Sequence, residues 1–206
     1  MKQKTAKALY NARYKFSEHC RSIQWDKLMK QYDSPKIAGA YTLNGKQMLC
    51  NKYCGGVYDD IYDGLVEISQ DVKQTDYLDL EKVIASTLSR IHNPQRTKDV
   101  DVEAIRTAYK QAKADKQFSY ECDRGKRFVF KINSSYFDIQ YFLLVVDTLD
   151  DITFNISDNP TDALYLVGKN GVGMVMPINV RYIDGATGIK PFITIDTKAN
   201  GGKYGE

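Results

Sequence analysis

Long apolar runs are missing from this chain: the longest, Tyr141 to Val146, is about a third of the ~18 residues that a membrane-spanning helix needs. No membrane span is expected. Histidine is scarce, and neither His19 nor His92 lies in a recognisable Ser, Cys or Asp arrangement, so triad-type nucleophilic catalysis is not expected. Four cysteines, Cys20, Cys50, Cys54 and Cys122, are too sparse for a disulfide framework and fit reduced thiols in the cytosol. A phosphate-binding glycine loop is lacking as well. Gly168-Lys169-Asn170-Gly171-Val172-Gly173 resembles one but falls between two expected strands, whereas such a loop leads into a helix N-terminus. Nor does the start read as a secretory leader. Met1 to Lys7 is basic, but Asn11, Arg13 and Lys15 interrupt any apolar segment behind it, so a cytoplasmic location is expected.

What is present is an ordinary globular composition, 43% hydrophobic and 27% charged, which argues against disorder and low-complexity polymers. A length of 206 residues allows one large domain or two small ones. The net charge of +3 is too small to identify a partner, but the charge is unevenly spread. The first thirty residues are rich in Lys and Arg, whereas Asp147 to Asp151, with Asp158 and Asp162, form an acidic stretch.

Hydrophobic spacing gives the elements. From Thr5 to Tyr32, Leu9, Ala12, Phe16, Cys20 and Ile23 recur at helical period, and Ser34-Pro35 ends the helix. Ile37–Leu43 and Lys46–Lys52 form a hairpin around Asn44-Gly45, the pair suited to a type I′ turn. Gly55-Gly56 and the Tyr/Asp-rich stretch to Asp63 read as loop or edge, before a short strand at Leu65–Ile68. Asp71 to Asp99 reads as a connector with one apolar turn, Leu80, Val83, Ile84 and Leu88, and a breaker at Asn93-Pro94. Val102, Ile105, Ala108, Tyr109 and Ala112 mark the next helix, to about Asp115. A second hairpin follows, Gln117–Asp123 and Lys126–Ile132, turning at Asp123-Arg124-Gly125. Asn133-Ser134-Ser135 reads as an N-cap for a helix at Tyr136–Leu149, and strands at Asp151–Ile156, Asp162–Val167 and Val172–Val180 close the chain's regular part.

Opposite the apolar stripe of the helix near residue 102, Arg106, Lys110 and Lys113 follow one another at i, i+4 and i+7, with Lys116 beyond. Such a ridge is either a solvated helix face or a row of phosphate contacts along a nucleic-acid backbone, blind to sequence and sensitive to salt. The first helix repeats the bias with Lys4, Lys7 and Lys15, which favours the functional reading. Cys50 and Cys54, with His19, have the donor types of a zinc site but lack a second Cys/His pair, so they read as small buried hydrophobes. The fifteen tyrosines read mainly as amphipathic packing rather than base-stacking platforms.

Asp76-Tyr77-Leu78-Asp79-Leu80-Glu81-Lys82-Val83-Ile84, followed by the helix from Val100 to Ala112, resembles the connector and following helix of bacterial DNA sliding clamps, the processivity subunits of replicative polymerases. The resemblance continues through Asn133 to Leu144 and ends at Val175-Met176-Pro177-Ile178-Asn179-Val180, similar to the Met-Pro segment with which clamps finish. It covers about Asp76 to Val180. The chain departs from the clamp pattern in the acidic Asp147–Asp151, in being too short for three clamp domains, and in Arg181–Glu206 beyond the usual end. The resemblance implies helices whose Lys/Arg touch duplex DNA loosely enough to slide, and an outer surface that recruits a DNA polymerase or another clamp-binding protein, with Met176, Pro177 and Ile178 as partner-binding candidates.

The expected fold is α+β, helices packed on antiparallel sheets. A diverged clamp-like unit is expected at 1–75, a connector at 76–100, a clamp-like unit at 101–180 and an extension at 181–206, loose from about Thr197. Two units per chain would make a homotrimer the simplest closed ring. The expected function is binding rather than catalysis, without cofactor or metal: a DNA sliding-clamp-like tether, of the kind a phage or mobile element carries. The alternatives are a monomeric protein-interaction module on the same fold, whose Met176–Ile178 surface binds a peptide or a host replication protein, and, third, a metal enzyme built on Cys50, Cys54 and His19.

Overall fold

The computed structural model describes residues 3–22, 40–61, 66–67, 79–91, 95–122, 125–178 and 189–197. Among them the elements are, in chain order, α1 (Ala6–Ser22), β1 (Ala40–Leu43), β2 (Lys46–Cys50), β3 (Cys54–Tyr58), β4 (Val66–Glu67), α2 (Leu80–Leu88), β5 (Gln95–Thr97), α3 (Val102–Ala114), β6 (Tyr120–Cys122), β7 (Gly125–Arg127), β8 (Val129–Ile132), β9 (Ser135–Asp138), α4 (Ile139–Thr148), β10 (Thr153–Ile156), β11 (Leu164–Gly168), β12 (Gly171–Val175) and β13 (Thr194–Ile195). The class is α+β with largely antiparallel pairing, as the sequence predicts. Among the described residues no helix is long and apolar enough to cross a membrane.

The chain forms two compact units that interleave along the sequence, one of residues 1–90, 144–152 and 165–174, the other of 91–143, 153–164 and 175–206. Their first boundary, Arg90 to Ile91, lies inside the connector expected at 76–100. Beyond it, the second half of the chain contributes segments to both units rather than forming one alone.

In the first unit the strand order is β4-β1-β2-β3-β12-β11. Asn44 at φ 53° and Gly45 at φ 74° make the β1–β2 turn, the conformation their sequence demands. Gly55-Gly56 lies not in a loop but inside the fully buried β3. The glycines are there for room: a Cβ on Gly56 would lie 2.2 Å from the Tyr58 hydroxyl, and one on Gly55 3.1 Å from Leu80 Cδ2. Gly171, at φ 148°, opens β12 where a Cβ would meet the Val57 carbonyl oxygen at 2.3 Å. Against this sheet α1 buries Leu9, Arg13, Phe16 and Cys20, a 4-3-4 spacing that puts an arginine within an apolar stripe.

The second unit contains the antiparallel pair β5–β10, the ribbon β6–β7 and the sheet β13-β8-β9. The helix expected from Tyr136 starts later, and Ser135–Asp138 is a strand. Asn133, at φ 50°, belongs to the β8–β9 turn, and Ile132 pairs with Ser135 while Phe130 pairs with Phe137. The cap is Asp138, whose Oδ1 accepts the Gln140 N–H at 2.8 Å. Phe137, Phe130, Phe142 and Phe154 pack in that order, with ring centroids 5.8, 4.7 and 6.2 Å apart. The expected strand Lys126–Ile132 is split, β7 pairing with β6 and β8 with β9. Part of the C-terminal extension is ordered into the unit: β13 runs parallel to β8, and Thr197 Oγ1 donates to Gln95 Oε1 at 2.7 Å while its N–H donates to Asn133 Oδ1 at 3.0 Å.

Several expectations fall outside the described residues: the first helix beyond Ser22 with its Ser34-Pro35 stop, the start of the first hairpin before Ala40, Asp76-Tyr77, Asn93-Pro94, Asp123-Arg124, and Asn179-Val180 with most of the extension.

Candidate nucleic-acid interface

Helix α3 forms because its ends are closed. Asp101 Oδ1 accepts the Ala104 N–H at 2.9 Å, Glu103 sits in the first turn and Lys113 in the last, each matching the helix dipole. Val102, Ile105 and Ala112 are buried, which turns Arg106, Lys110 and Lys113 away from the core. At the C-terminus Gln117 N–H reaches the Ala112 carbonyl at 2.9 Å and Lys116 N–H the Lys113 carbonyl at 3.2 Å, a Schellman closure. Its left-handed position, φ 55°, is occupied by Lys116 rather than glycine.

Arg106, Lys110 and Lys113 therefore follow one another along α3, with Lys116 just past its end, but the four cations are not equivalent. Arg106 is half-buried and its Nε pairs with Glu103 at 3.3 Å, so part of its charge is met within the helix. Lys110, Lys113 and Lys116 are exposed, and among the described residues no carboxylate pairs with them. The Lys113 ammonium lies 5.3 Å from the centroid of the Tyr109 ring. That ring is fixed by an edge contact to Phe128 at 5.1 Å and by Gln140 Nε2 donating to its hydroxyl at 2.8 Å.

The N-terminal set divides differently. Lys7 and Lys15 are exposed on α1, beside Tyr10 and Tyr14, which are 43% and 53% exposed. Lys4 lies ahead of the helix, and its ammonium donates to the carbonyls of Val146 at 2.5 Å and Leu149 at 2.6 Å. Its backbone N–H donates to Asp150 Oδ1 at 3.1 Å. Helix α4 has no basic residue in its own last turn and runs into the acidic stretch, so Lys4 supplies the cation its C-terminus lacks. Asn170 completes the closure, donating from Nδ2 to the Thr148 carbonyl at 3.1 Å and accepting the Asp150 N–H at 2.9 Å. Asp151 is paired with Lys169 at 3.1 Å. Lys4 is thus a structural cation, and two members of the acidic stretch are engaged within the unit.

Sequence reasoning missed Arg13. It is wholly buried, its guanidinium 4.4 Å from the Tyr58 ring centroid, donating to the Asp60 carbonyl at 3.0 Å and pairing with the Asp60 carboxylate at 3.6 Å. Thr148 Oγ1 donates to the Val145 carbonyl at 2.6 Å, which leaves the Tyr58 hydroxyl as donor in their 2.6 Å contact. Burial pushes the Tyr58 phenol well above its ordinary pKa. The signal for Arg13 was its place between Leu9 and Phe16 at stripe spacing. A second buried cluster, Arg127 with Asp138 at 3.5 Å and the Tyr141 hydroxyl at 3.4 Å, sits at the start of α4, where burial raises the Asp138 pKa against the pull of its hydrogen bonds and of Arg127.

Met176, Pro177 and Ile178 follow β12. Met176 is 39% exposed, Pro177 and Ile178 are half-buried, and the Ile178 N–H donates to the Tyr136 carbonyl at 2.8 Å. Cys20, Cys50 and Cys54 are buried thiols, and among the described residues no three His, Cys, Asp or Glu side chains converge in a metal-holding group. The first unit also has a groove of about 280 Å³ floored by Val57, Ile84 and Leu88, at whose rim Lys46 is bonded to Glu81; that bond holds the Lys46 pKa above its ordinary value.

No protein-family model, curated protein or solved structure matches this chain.

Proposed function

We propose that the protein associates non-specifically with duplex DNA through the exposed basic face of α3 and serves as a sliding-clamp-like tether for a replication or repair partner. The observation that carries the reading is that Lys110 and Lys113, with Lys116 at the C′ position just beyond, stand in solvent at a helix whose other face is anchored in the core. Phosphate contacts of this kind position without reading sequence, so the protein keeps its grip as it moves along the duplex. On the first unit Lys7 and Lys15, exposed on α1, are proposed as phosphate contacts in their own right. The function is binding, without a chemical step. Met176, exposed beside the half-buried Pro177 and Ile178, supplies the apolar contact for a polymerase or other partner. Several copies closing a ring, three in the simplest case, would retain DNA by topology.

Fluorescence anisotropy with labelled duplexes of unrelated sequence tests the reading. Wild-type protein binds them equally and loses affinity steeply as salt rises, and Lys110→Glu with Lys113→Glu weakens binding by more than about tenfold with circular dichroism unchanged. Absence of binding at low salt, or a double reversal without effect, rejects it. Retained partner capture by that same double variant, lost instead on Met176→Glu, is the result that supports the reading as a lone protein-interaction module.

A further inference from the structure

Just past α3 the chain leaves a large apolar side chain in solvent. Phe118 is 41% exposed, and the ammonium of Lys126 lies 4.8 Å from its ring centroid. The position is held from both sides: the Schellman closure ends at Gln117, and the Ser119 N–H donates to the Arg127 carbonyl at 2.8 Å, at the base of the β6–β7 ribbon. Lys113 and Lys116, five and two positions before the ring in sequence, are exposed. Among the described residues the acids beside this stretch in the chain or across the ribbon are Asp115, which accepts from Gln111 Nε2 at 2.9 Å, and Glu121, directly across the ribbon from Lys126. A single exposed phenyl ring is ordinary on a protein surface; what sets Phe118 apart is the company it keeps, a lysine ammonium within cation–π distance and further exposed lysines on the same stretch of chain. Such a ring does suit a ligand that is planar and anionic in alternation.

We infer that Phe118 is a stacking platform for an unpaired nucleobase, with Lys113, Lys116 and Lys126 holding the phosphates on either side. The inference rests on the DNA-binding reading and goes beyond it: α3 grips phosphates of either form, whereas Phe118 acts only where a base is free of its partner strand. Base-on-aromatic stacking tolerates any sequence, because every base has a π-face. The ligand is therefore DNA with a single-stranded segment adjoining a duplex. A run of acidic side chains matches the lysines but does not alternate its charges with an aromatic face for the ring to stack on.

The test compares a fluorescent blunt duplex with the same duplex carrying a single-stranded extension, using full-length protein. Wild type binds the extended form several-fold more tightly. Phe118→Ala weakens binding to the extended form by about tenfold and leaves blunt-duplex affinity within about twofold, while Phe118→Trp restores the preference. Circular dichroism checks that the surface substitution leaves the fold intact. Equal wild-type affinity for the two forms, or a Phe118→Ala variant that loses nothing or loses both alike, overturns the stacking role while leaving the duplex reading standing. Failure to bind either DNA removes both readings together. Tight binding of fluorescent polyglutamate that Phe118→Ala abolishes, with DNA binding unaltered, assigns the surface to an acidic protein and overturns the inference.

Discussion

Around α1, Arg13 is buried against Tyr58 and Lys4 closes the carbonyls of α4, whereas on α3 Lys110 and Lys113 stand in solvent and Arg106 remains at the surface beside Glu103. Both segments are rich in lysine and arginine, yet one uses two of its cations to hold a unit together and the other presents most of its cations outward. The difference follows from register and surroundings rather than from composition. Arg13 shares the stripe of Leu9, Phe16 and Cys20 and so must be buried, where its charge needs the ring, the carbonyl and the carboxylate that it finds. Lys4 meets a helix end that has too much negative charge, its own dipole and Asp150 together. On α3 the apolar stripe contains no cation, so its lysines have no inward task.

Three substitutions break or sharpen this contrast. The largest effect is expected at Arg13: Arg13→Ala should lower the unfolding free energy by about 3 kcal/mol in urea denaturation, through lost packing on Tyr58 and unmet acceptors. A loss below about 0.5 kcal/mol would mean that the buried guanidinium contributes nothing net. Next comes Lys4→Met, which keeps the aliphatic stem and removes the ammonium; a decrease of about 1–2 kcal/mol is expected, with duplex affinity unchanged. If affinity falls and stability does not, Lys4 belongs with the lysines of the proposed DNA contact after all. The smallest change, Lys116→Gly, should act oppositely on the two properties. Glycine fits the left-handed C′ position and raises stability by about 1 kcal/mol, a rise of roughly 2–4 °C in Tm, while the lost charge reduces the salt slope of DNA binding by about one unit. Parallel changes in stability and binding would show that Lys116 is no phosphate contact.

Much of the fold is legible residue by residue. Asn44-Gly45 admits little other than its tight turn, and the period of Val102, Ile105 and Ala112 marks α3 because each buried position recurs within the same helical face. The strand β13 is not anticipated, since residues 181–206 read only as an extension; its pairing with β8 is a long-range contact. Two passages misled for identifiable reasons. Asn133-Ser134-Ser135 has cap chemistry, but the same residues suit a hairpin turn, and long-range pairing of β8 with β9 moved the cap to Asp138. Gly55-Gly56 reads as loop until Tyr58 and Leu80 are seen to fill the space their missing side chains leave. Of the site, the basic ridge was visible in the spacing of Arg106, Lys110 and Lys113, whereas Phe118 lies ahead of β6 and Lys126 within β7, positions that only the ribbon brings face to face.

The amino-acid sequence alone determined the α+β class, the position of α3 and the row of charges on its outer face, because turn chemistry and helical period act over a few neighbouring residues. Tertiary structure alone decided which cations serve the fold and which face the solvent. The carbonyls that hold Lys4 lie 142 and 145 positions further along the chain, and the main-chain acceptor of Arg13 lies 47 away. No local rule assigns a charge to a partner so distant; that is settled when burial removes water and the nearest polar group has to take its place.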